Sequence, residues 1–494
     1  MRRWRTEDKE LVIKTLSERA DGMYVNRFAL MTFVETFNRF RWVFCQLEIL
    51  RHCLPPSVRC TLGELPESLD ETYERILREI KKPNRDHARR ILQCLVVAIR
   101  PLSVEELAEV LAVDFGDAEG IPKLKLDWRW EDQEQALLTS CSSLIAIVDT
   151  GRSRAVQFSH FSVKEYLTTA RLATSRGDIS RYHVDLEPAH TILAQACMGI
   201  LLQADDHAEQ NDVEKNSPLA EYAAEHWVTH AQFQSVSSLS RKAMEHLFDP
   251  DKPYFAVWLQ LYDIDNYSGR QSSSLTLQTA RSKSGATPLY YAALCGFRDV
   301  VEHLVIKYPE HVNARGGYFM TPLIAALGRR HFQTAELLRR NGADVDVRGV
   351  RRRTPLHSAA RCGDSEMVRV LLNYKADVHA WTDLGWTPIH YVSLGFPIST
   401  IPNICQSLPD VARLLLEHGA DVNAQVTGSD SSGRTPLHLT MLFNRADVIR
   451  VLLAHGANVD AEDSEGRTPF QIASAKGYDE MMKLLSEHGA KGEL

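Results

Sequence analysis

The chain has 494 residues, enough for two to four domains with real cores, and an ordinary globular composition of 44% hydrophobic and 24% charged residues. Its formal net charge of −7 favours neither nucleic acid nor an acidic membrane as partner, and no run of about 18 apolar residues marks a membrane span. Nine scattered cysteines without a C-x-x-C pair argue for reduced thiols in a cytoplasmic setting, against a disulfide framework and against structural zinc.

The N-terminus, "MRRWRTEDKELVIK", is basic but lacks the apolar run of a signal peptide. Ser68 with Glu71 opens a helical pattern, "SLDETYERILREI". A second helix runs through "NRDHARRILQCLVVAI" and is expected to end near Arg100-Pro101. Ser103 with Glu106 starts a third, "SVEELAEVLAV", and another follows around "DQEQALLTSC". Two β-prone runs, "SLIAIV" and "AVQFSH", flank the turn "DTGRSR". Ser162 and Glu165 then have capping-box spacing, so a further helix is expected to begin near Val163. Helices, a hairpin and a final helix are the order of a winged-helix domain.

The words "LPESLDETYERIL", "RPLSVEELAEVLAV", "SSLIAIV" and "FSHFSVKEYL" resemble the segment that follows the nucleotide-binding core in fungal NACHT proteins. These are NLR-like signal-transduction ATPases of the STAND class, many with C-terminal ankyrin arrays. The winged helix also resembles the type named after GPI inositol-deacylase, a label for shared fold and not for deacylase chemistry. The resemblance spans about residues 40–172 and continues more weakly through "SPLAEYAAEHWVTHA". It implies that His160, at the end of the hairpin, occupies the position whose histidine holds the phosphate of bound ADP. The alternative is a histidine that packs or caps at a strand-to-helix corner. No G-x-x-x-x-G-K-[ST] occurs, so no phosphate-cradling loop can be assigned and His160 is expected to be idle as a sensor. About 68 residues precede the winged helix, too few for an α/β nucleotide-binding domain. The family pattern would read "GMFRWVFCQLE"; removing Tyr24 to Asn38 and merging Met23 with Arg39 restores it. Residues 24–39 are therefore read as a retained intron, the alternative being an amphipathic insertion.

Further along, His226 and His230 in "EHWVTH" share a helical face. Zinc needs three or four ligands, and helix packing beside Trp227 is the simpler reading. Trp128 and Trp130 of "LDWRW" are read as core or inter-domain packing. The 35 basic and 41 acidic residues of 1–283 speak against a winged helix used on DNA. A polar, Ser-rich stretch, 266–283, reads as a linker.

Thr-Pro pairs recur at Thr287, Thr321, Thr354, Thr387, Thr435 and Thr468, spaced by 34, 33, 33, 48 and 33 residues. This period, with "TPLH" and "HGADVNA" in phase, resembles the ankyrin repeat over 284–494. Thr caps each first helix while Pro needs no N–H partner there, and Gly419 and Gly456 supply a left-handed residue at the end of a second helix. The "TPLH" histidines are expected to be structural. Tyr290, Ile324 and Gln471 replace them in repeats one, two and six, and Lys375 stands where a helix-ending glycine belongs. The long fourth spacing holds about 11 extra residues around "GFPISTIPNICQSLPD" and about four in "TGSDSSG", both read as surface loops.

The expected fold is mainly α: a remnant of a NACHT-associated region (1–68), a winged helix (69–172), a helical arm (186–265), the linker and six ankyrin repeats (284–494). The expected function is protein binding by the array of a NACHT/STAND-type signalling protein, without catalysis, cofactor, metal, nucleic acid or membrane partner. A stand-alone ankyrin adaptor is the alternative, and an enzyme with dispersed site residues a more distant one. Tyr318, Phe319, Arg351, Arg353, Trp381 and Trp386 fall at hairpin tips, where repeats do not need aromatics or arginines, and are the expected partner contacts. Trp386 and Phe319 have a second reading as rings folded back onto neighbouring hairpins.

Overall fold

The computed structural model describes residues 10–16, 68–115, 121–151, 153–175, 177–203, 217–265, 285–394, 407–428 and 433–491. The expected intron segment, the linker and most of the inserted loop before Pro409 lie outside them. The chain forms two compact units, 1–264 and 265–494.

In the first unit, α1 (Leu69–Glu79) starts where Ser68 Oγ accepts the Glu71 N–H. α2 (Arg85–Val97) buries Ile91, Leu92 and Val96, and stops at Val97, just before the Arg100-Pro101 step. After β1 (Leu102–Ser103), α3 (Val104–Leu111) opens with both bonds of the Ser103–Glu106 capping box. α4 (Gln133–Cys141) precedes the wing, formed by β4 (Ile145–Asp149) and β5 (Arg154–Phe158). Between α3 and α4, β2 (Val113–Asp114) and β3 (Lys123–Leu124) make a small antiparallel pair. The main sheet has the order β1-β5-β4, all antiparallel, with Val156 of β5 opposite both Leu102 and Ile147. The β4–β5 turn closes through Gly151, which adopts φ +77° while its N–H is held by Asp149 Oδ1 at 2.7 Å.

α5 (Phe161–Leu167) follows β5, and here the expected cap gives way to another. His160, not Ser162, is the N-cap: its Nδ1 accepts the Ser162 N–H at 3.3 Å. Ser162 Oγ is instead engaged by His160 Nδ1 at 2.6 Å and by Tyr73 Oη of α1 at 2.7 Å. The helix therefore begins at Phe161.

The arm includes α6 (Leu186–Leu201), α7 (Ala220–Ala231), α8 (Arg241–Leu247) and α9 (Tyr254–Leu261), with a short helix over Gln234–Leu239 between α7 and α8. Trp227, Trp258 and Phe248 are fully buried, with the two indoles edge to face at 5.3 Å and Trp258 Nε1 donating to Ala224 O. Burying each such ring contributes roughly 1.5–3 kcal/mol. Glu109 of α3 fixes the start of α7: its buried carboxylate accepts Ser217 Oγ and the Leu219 N–H, both at 2.8 Å, and pairs with Arg129.

The second unit stacks six helix pairs: α10 (Pro288–Cys295) with α11 (Arg298–Lys307), α12 (Pro322–Gly328) with α13 (Phe332–Arg340), α14 (Pro355–Cys362) with α15 (Ser365–Asn373), α16 (Pro388–Leu394) with α17 (Leu408–Glu417), α18 (Pro436–Phe443) with α19 (Ala446–Ala454), and α20 (Pro469–Lys476) with α21 (Asp479–Glu487). The first helices are buried almost all round, because each is covered by its neighbours and by its own second helix. Gly419 and Gly456 end their helices at φ +91° and +85°, and Lys375 takes φ +67° at the equivalent place.

Candidate functional site: the hairpin face of the ankyrin array

Three of the "TPLH" histidines bind the stack together. His357 Nδ1 accepts the Thr354 N–H at 3.1 Å and lies 2.8 Å from Thr354 Oγ1. With Nδ1 an acceptor, Nε2 carries the proton and donates to Trp386 O of the next hairpin at 3.0 Å. His390 repeats this with Thr387 and Ala424 O, and His438 with Thr435 and Arg467 O. All three are fully buried. Burial holds His357 and His390 down to about 4 and lowers His438. These are struts between repeats and remain neutral.

The departures from the pattern have separate solutions. Gln471 closes the sixth cap, its Oε1 accepting the Thr468 N–H at 3.0 Å. Tyr290 in the first repeat reaches further than a histidine: its hydroxyl donates to the Asp265 carboxylate at 2.8 Å and accepts the Phe319 N–H at 3.1 Å. Asp265 also takes the Tyr318 N–H at 2.6 Å, so a single carboxylate fixes the first hairpin. Ile324 in the second repeat makes no such bond. Thr321 Oγ1 is buried and has no hydrogen-bond partner among the described residues.

The six expected contact residues all lie on this face but divide into two kinds. Tyr318 is 62% exposed and Trp381 48%, and Arg351 is exposed at the tip of the hairpin between repeats two and three. Phe319 instead folds over Gly328, where any β-carbon would meet the ring at 2.3 Å. Trp386 packs edge-on against Tyr391 at 5.5 Å, and Arg353 Nε donates to the Tyr391 hydroxyl at 3.0 Å. Phe319, Arg353 and Trp386 thus brace the hairpins that Tyr318, Arg351 and Trp381 project from. Arg348, which sequence reasoning passed over, and Arg352 of the Arg351–Arg353 trio place their guanidiniums 5.6 and 4.2 Å from the Trp381 ring centre. The run of four arginines within six residues was the available signal. Arg351 and Arg352 both adopt left-handed backbone, φ 58° and 55°, an uncommon conformation for bulky residues that concentrates at binding sites.

A cleft of about 380 Å³ lies beside this tip, between two hairpins and the first helices of repeats two and three. Phe319, Ile324, Val347, Val350 and Met367 make it mostly apolar, and Arg353 stands at its edge. Asp364 at its far end is already engaged, by Arg330 at 3.3 Å and by the Met367 N–H.

In the first unit, His160 carries out the cap described above and its ring lies 4.2 Å from that of Phe161. His230 is fully buried between Tyr222 Oη on Nε2 (2.9 Å) and His190 Nδ1 on its own Nδ1 (2.8 Å). Burial, reinforced by His190 and His226, lowers it to about 3. Both histidines of "EHWVTH" therefore serve helix packing, and no group of three His, Cys, Asp or Glu among the described residues is placed to hold a metal ion. Trp130 packs edge to face on His87, whereas Trp128 is 45% exposed, which rules out the core alternative of the expected core or inter-domain packing for that residue.

Comparison with known proteins matches residues 323–426 and 403–494 to the family "Ankyrin repeats (3 copies)" and 284–316 to "Ankyrin repeat". Residues 73–176 match "GPI inositol-deacylase, winged helix domain". Azaphilone pigments biosynthesis cluster protein L of Monascus ruber is 32% identical over 297 residues, which is 58% of this chain and 61% of that protein. Putative ankyrin repeat protein FPV031 of fowlpox virus is 29% identical, covering 35% of this chain and 48% of that protein. The probable 26S proteasome regulatory subunit p28 of Saccharomyces cerevisiae is 26% identical, covering 34% and 70%. The chain therefore spans between about half and two thirds of the first two relatives. Among solved structures, the ankyrin repeat domain of Bcl-3 aligns at 27% identity, with 43% of this chain and 90% of that one covered and a TM-score of 0.37. The chain thus carries a winged helix of the GPI inositol-deacylase type and a C-terminal set of ankyrin repeats in a mainly helical architecture.

Proposed function

We propose that this chain is the partner-binding arm of a NACHT/STAND-type signalling protein in a fungal cytoplasm, with the hairpin face of its ankyrin array as the reader. The observation that carries the reading is the tip formed by Tyr318, Val350, Arg351 and Trp381: large, exposed side chains that no repeat needs for its own packing. The winged helix followed by ankyrin repeats supports the signalling context, and the Monascus relative a fungal one. The chain performs no catalysis in this reading. His160 is a helix cap at an inherited sensor position, idle toward nucleotide, because its Nδ1 is committed to Ser162 and no phosphate loop occurs in the sequence.

Photo-crosslinking tests the assignment. A benzoylphenylalanine at Val350 of the full chain, expressed in its host cells, should form a discrete adduct with another protein. The same probe at Ile306, exposed on a second helix, should not. Adducts from Ile306 alone would place the reader elsewhere, and none from any exposed site on the array would refute a binding role.

A further inference from the structure

In the cleft beside the arginine tip, Ile324 stands where three other repeats have histidine. Where His357, His390 and His438 are fully buried, Ile324 stays partly exposed and forms the floor of the cleft. An imidazole at this position would cap Thr321 and reach the Arg353 carbonyl, as His357 reaches the equivalent Trp386 carbonyl. Ile324 does neither. The Thr321 hydroxyl is without a partner among the described residues, Met320 beside it is left-handed at φ 74°, and the recess over Ile324 is mostly apolar. Next to it stand Arg348, Arg351, Arg352 and Arg353, none in an ion pair among the described residues. The Arg348 Nη1 is buried and has no hydrogen-bond acceptor among them. Several other arginines of the array are answered by carboxylates: Arg330 by Asp364 and Glu366, Arg339 and Arg340 by Glu336, Arg450 by Glu480.

From this juxtaposition we infer that the cleft and its arginine rim bind an extended segment of a partner protein that carries bulky aliphatic or aromatic side chains interleaved with aspartate or glutamate. The apolar side chains fill the recess over Ile324, Val347 and Met367. The carboxylates take the guanidinium donors, and a planar fork that is already aimed loses little freedom on pairing. This rests on the hairpin face being the reader and adds to it the chemistry of what is read.

The test is fluorescence anisotropy of the purified full chain with two labelled peptides, one of alternating glutamate and leucine and one with lysine replacing every glutamate. The acidic peptide should bind at least about tenfold more tightly and weaken as salt is raised. Two variants isolate the two halves of the site. Ile324→His closes the recess with the residue the other repeats use, so it should cut binding about tenfold while the melting temperature rises. Arg351→Glu/Arg352→Glu should abolish the preference for the acidic peptide with folding intact. Equal binding of both peptides, or wild-type affinity in both variants, would overturn the inference. If neither peptide binds while Val350 still captures a protein in cells, the inference falls and the reader assignment stands; if both experiments are blank, both fall.

Discussion

Ile324 shows how one residue type decides between strut and site. A histidine there would supply two hydrogen bonds, each worth about 0.5–1.5 kcal/mol net, and relieve the buried Thr321 hydroxyl. Ile324→His is therefore expected to stabilise the array by about 1–2 kcal/mol, read as a higher urea midpoint with an unchanged slope. Lys375 makes a second prediction at this scale. It holds a left-handed conformation that costs an L-residue roughly 1 kcal/mol, on an exposed position away from the cleft. Lys375→Gly should gain about 0.5–1 kcal/mol and leave binding alone, and a loss of stability would show that the left-handed turn is not strained. His160 is the opposite case. Replacing it by Ala removes a cap and should cost the winged-helix unit about 1 kcal/mol, whereas a sensor without a structural duty would cost nothing.

At the scale of elements, the stack depends on neutral imidazoles. His357 and His390 sit at about 4, well below the ordinary value of 6.5, so the folded state resists the proton that the unfolded chain accepts. Their contribution is whole above about pH 6.5 and is lost as pH falls from there toward 4. By pH 5 each should have given up on the order of 2 kcal/mol, visible as a lower urea midpoint for the array than at pH 7.5. An array equally stable at the two values would mean that the histidines titrate normally. The Glu109 joint governs the other unit. Glu109→Ala strands Ser217, the Leu219 N–H and Arg129 together, and should destabilise that unit by about 3 kcal/mol.

Much of this was legible in the sequence at the level of elements. Thr-Pro at a 33-residue step implies capped, Pro-started helices, and the structure starts a helix at the proline of every pair from Thr287 to Thr468, although Thr321 makes no side-chain cap. Ser103 and Glu106 announced their capping box in the same way. What was hidden depends on partners remote in sequence. The cap of α5 passes from Ser162 to His160 because Tyr73, 89 residues earlier, holds the serine hydroxyl. Arg353 looked like a tip residue but turns inward because Tyr391 offers it a hydroxyl, and the same ring decides between the two readings of Trp386 by giving it an edge to pack on. Of the two roles open to Trp128, core and inter-domain packing, its exposure removes the first. The replacement of histidine by Ile324 was visible, but the recess it opens was not, since that requires the hairpins on either side to be in place.

As a whole the molecule combines two units with structural histidines, and the ankyrin array bears the proposed binding face. On the proposed reading nucleotide is not a ligand: a single hydrogen bond of about 0.5–1.5 kcal/mol from His160 falls far short of the roughly 8 kcal/mol of a micromolar site. Calorimetric titration with ADP should give no saturable heat at micromolar concentration. The central claim is that the hairpin tips read a partner and do not hold the array together. It is tested most directly by measuring thermal unfolding and partner capture on the same preparations of wild-type protein and Arg351→Ala/Trp381→Ala. The account predicts unfolding shifted by no more than about 0.5 kcal/mol and capture weakened by at least about 2 kcal/mol. A variant that unfolds early, or one that folds normally and still captures every wild-type partner, would contradict it.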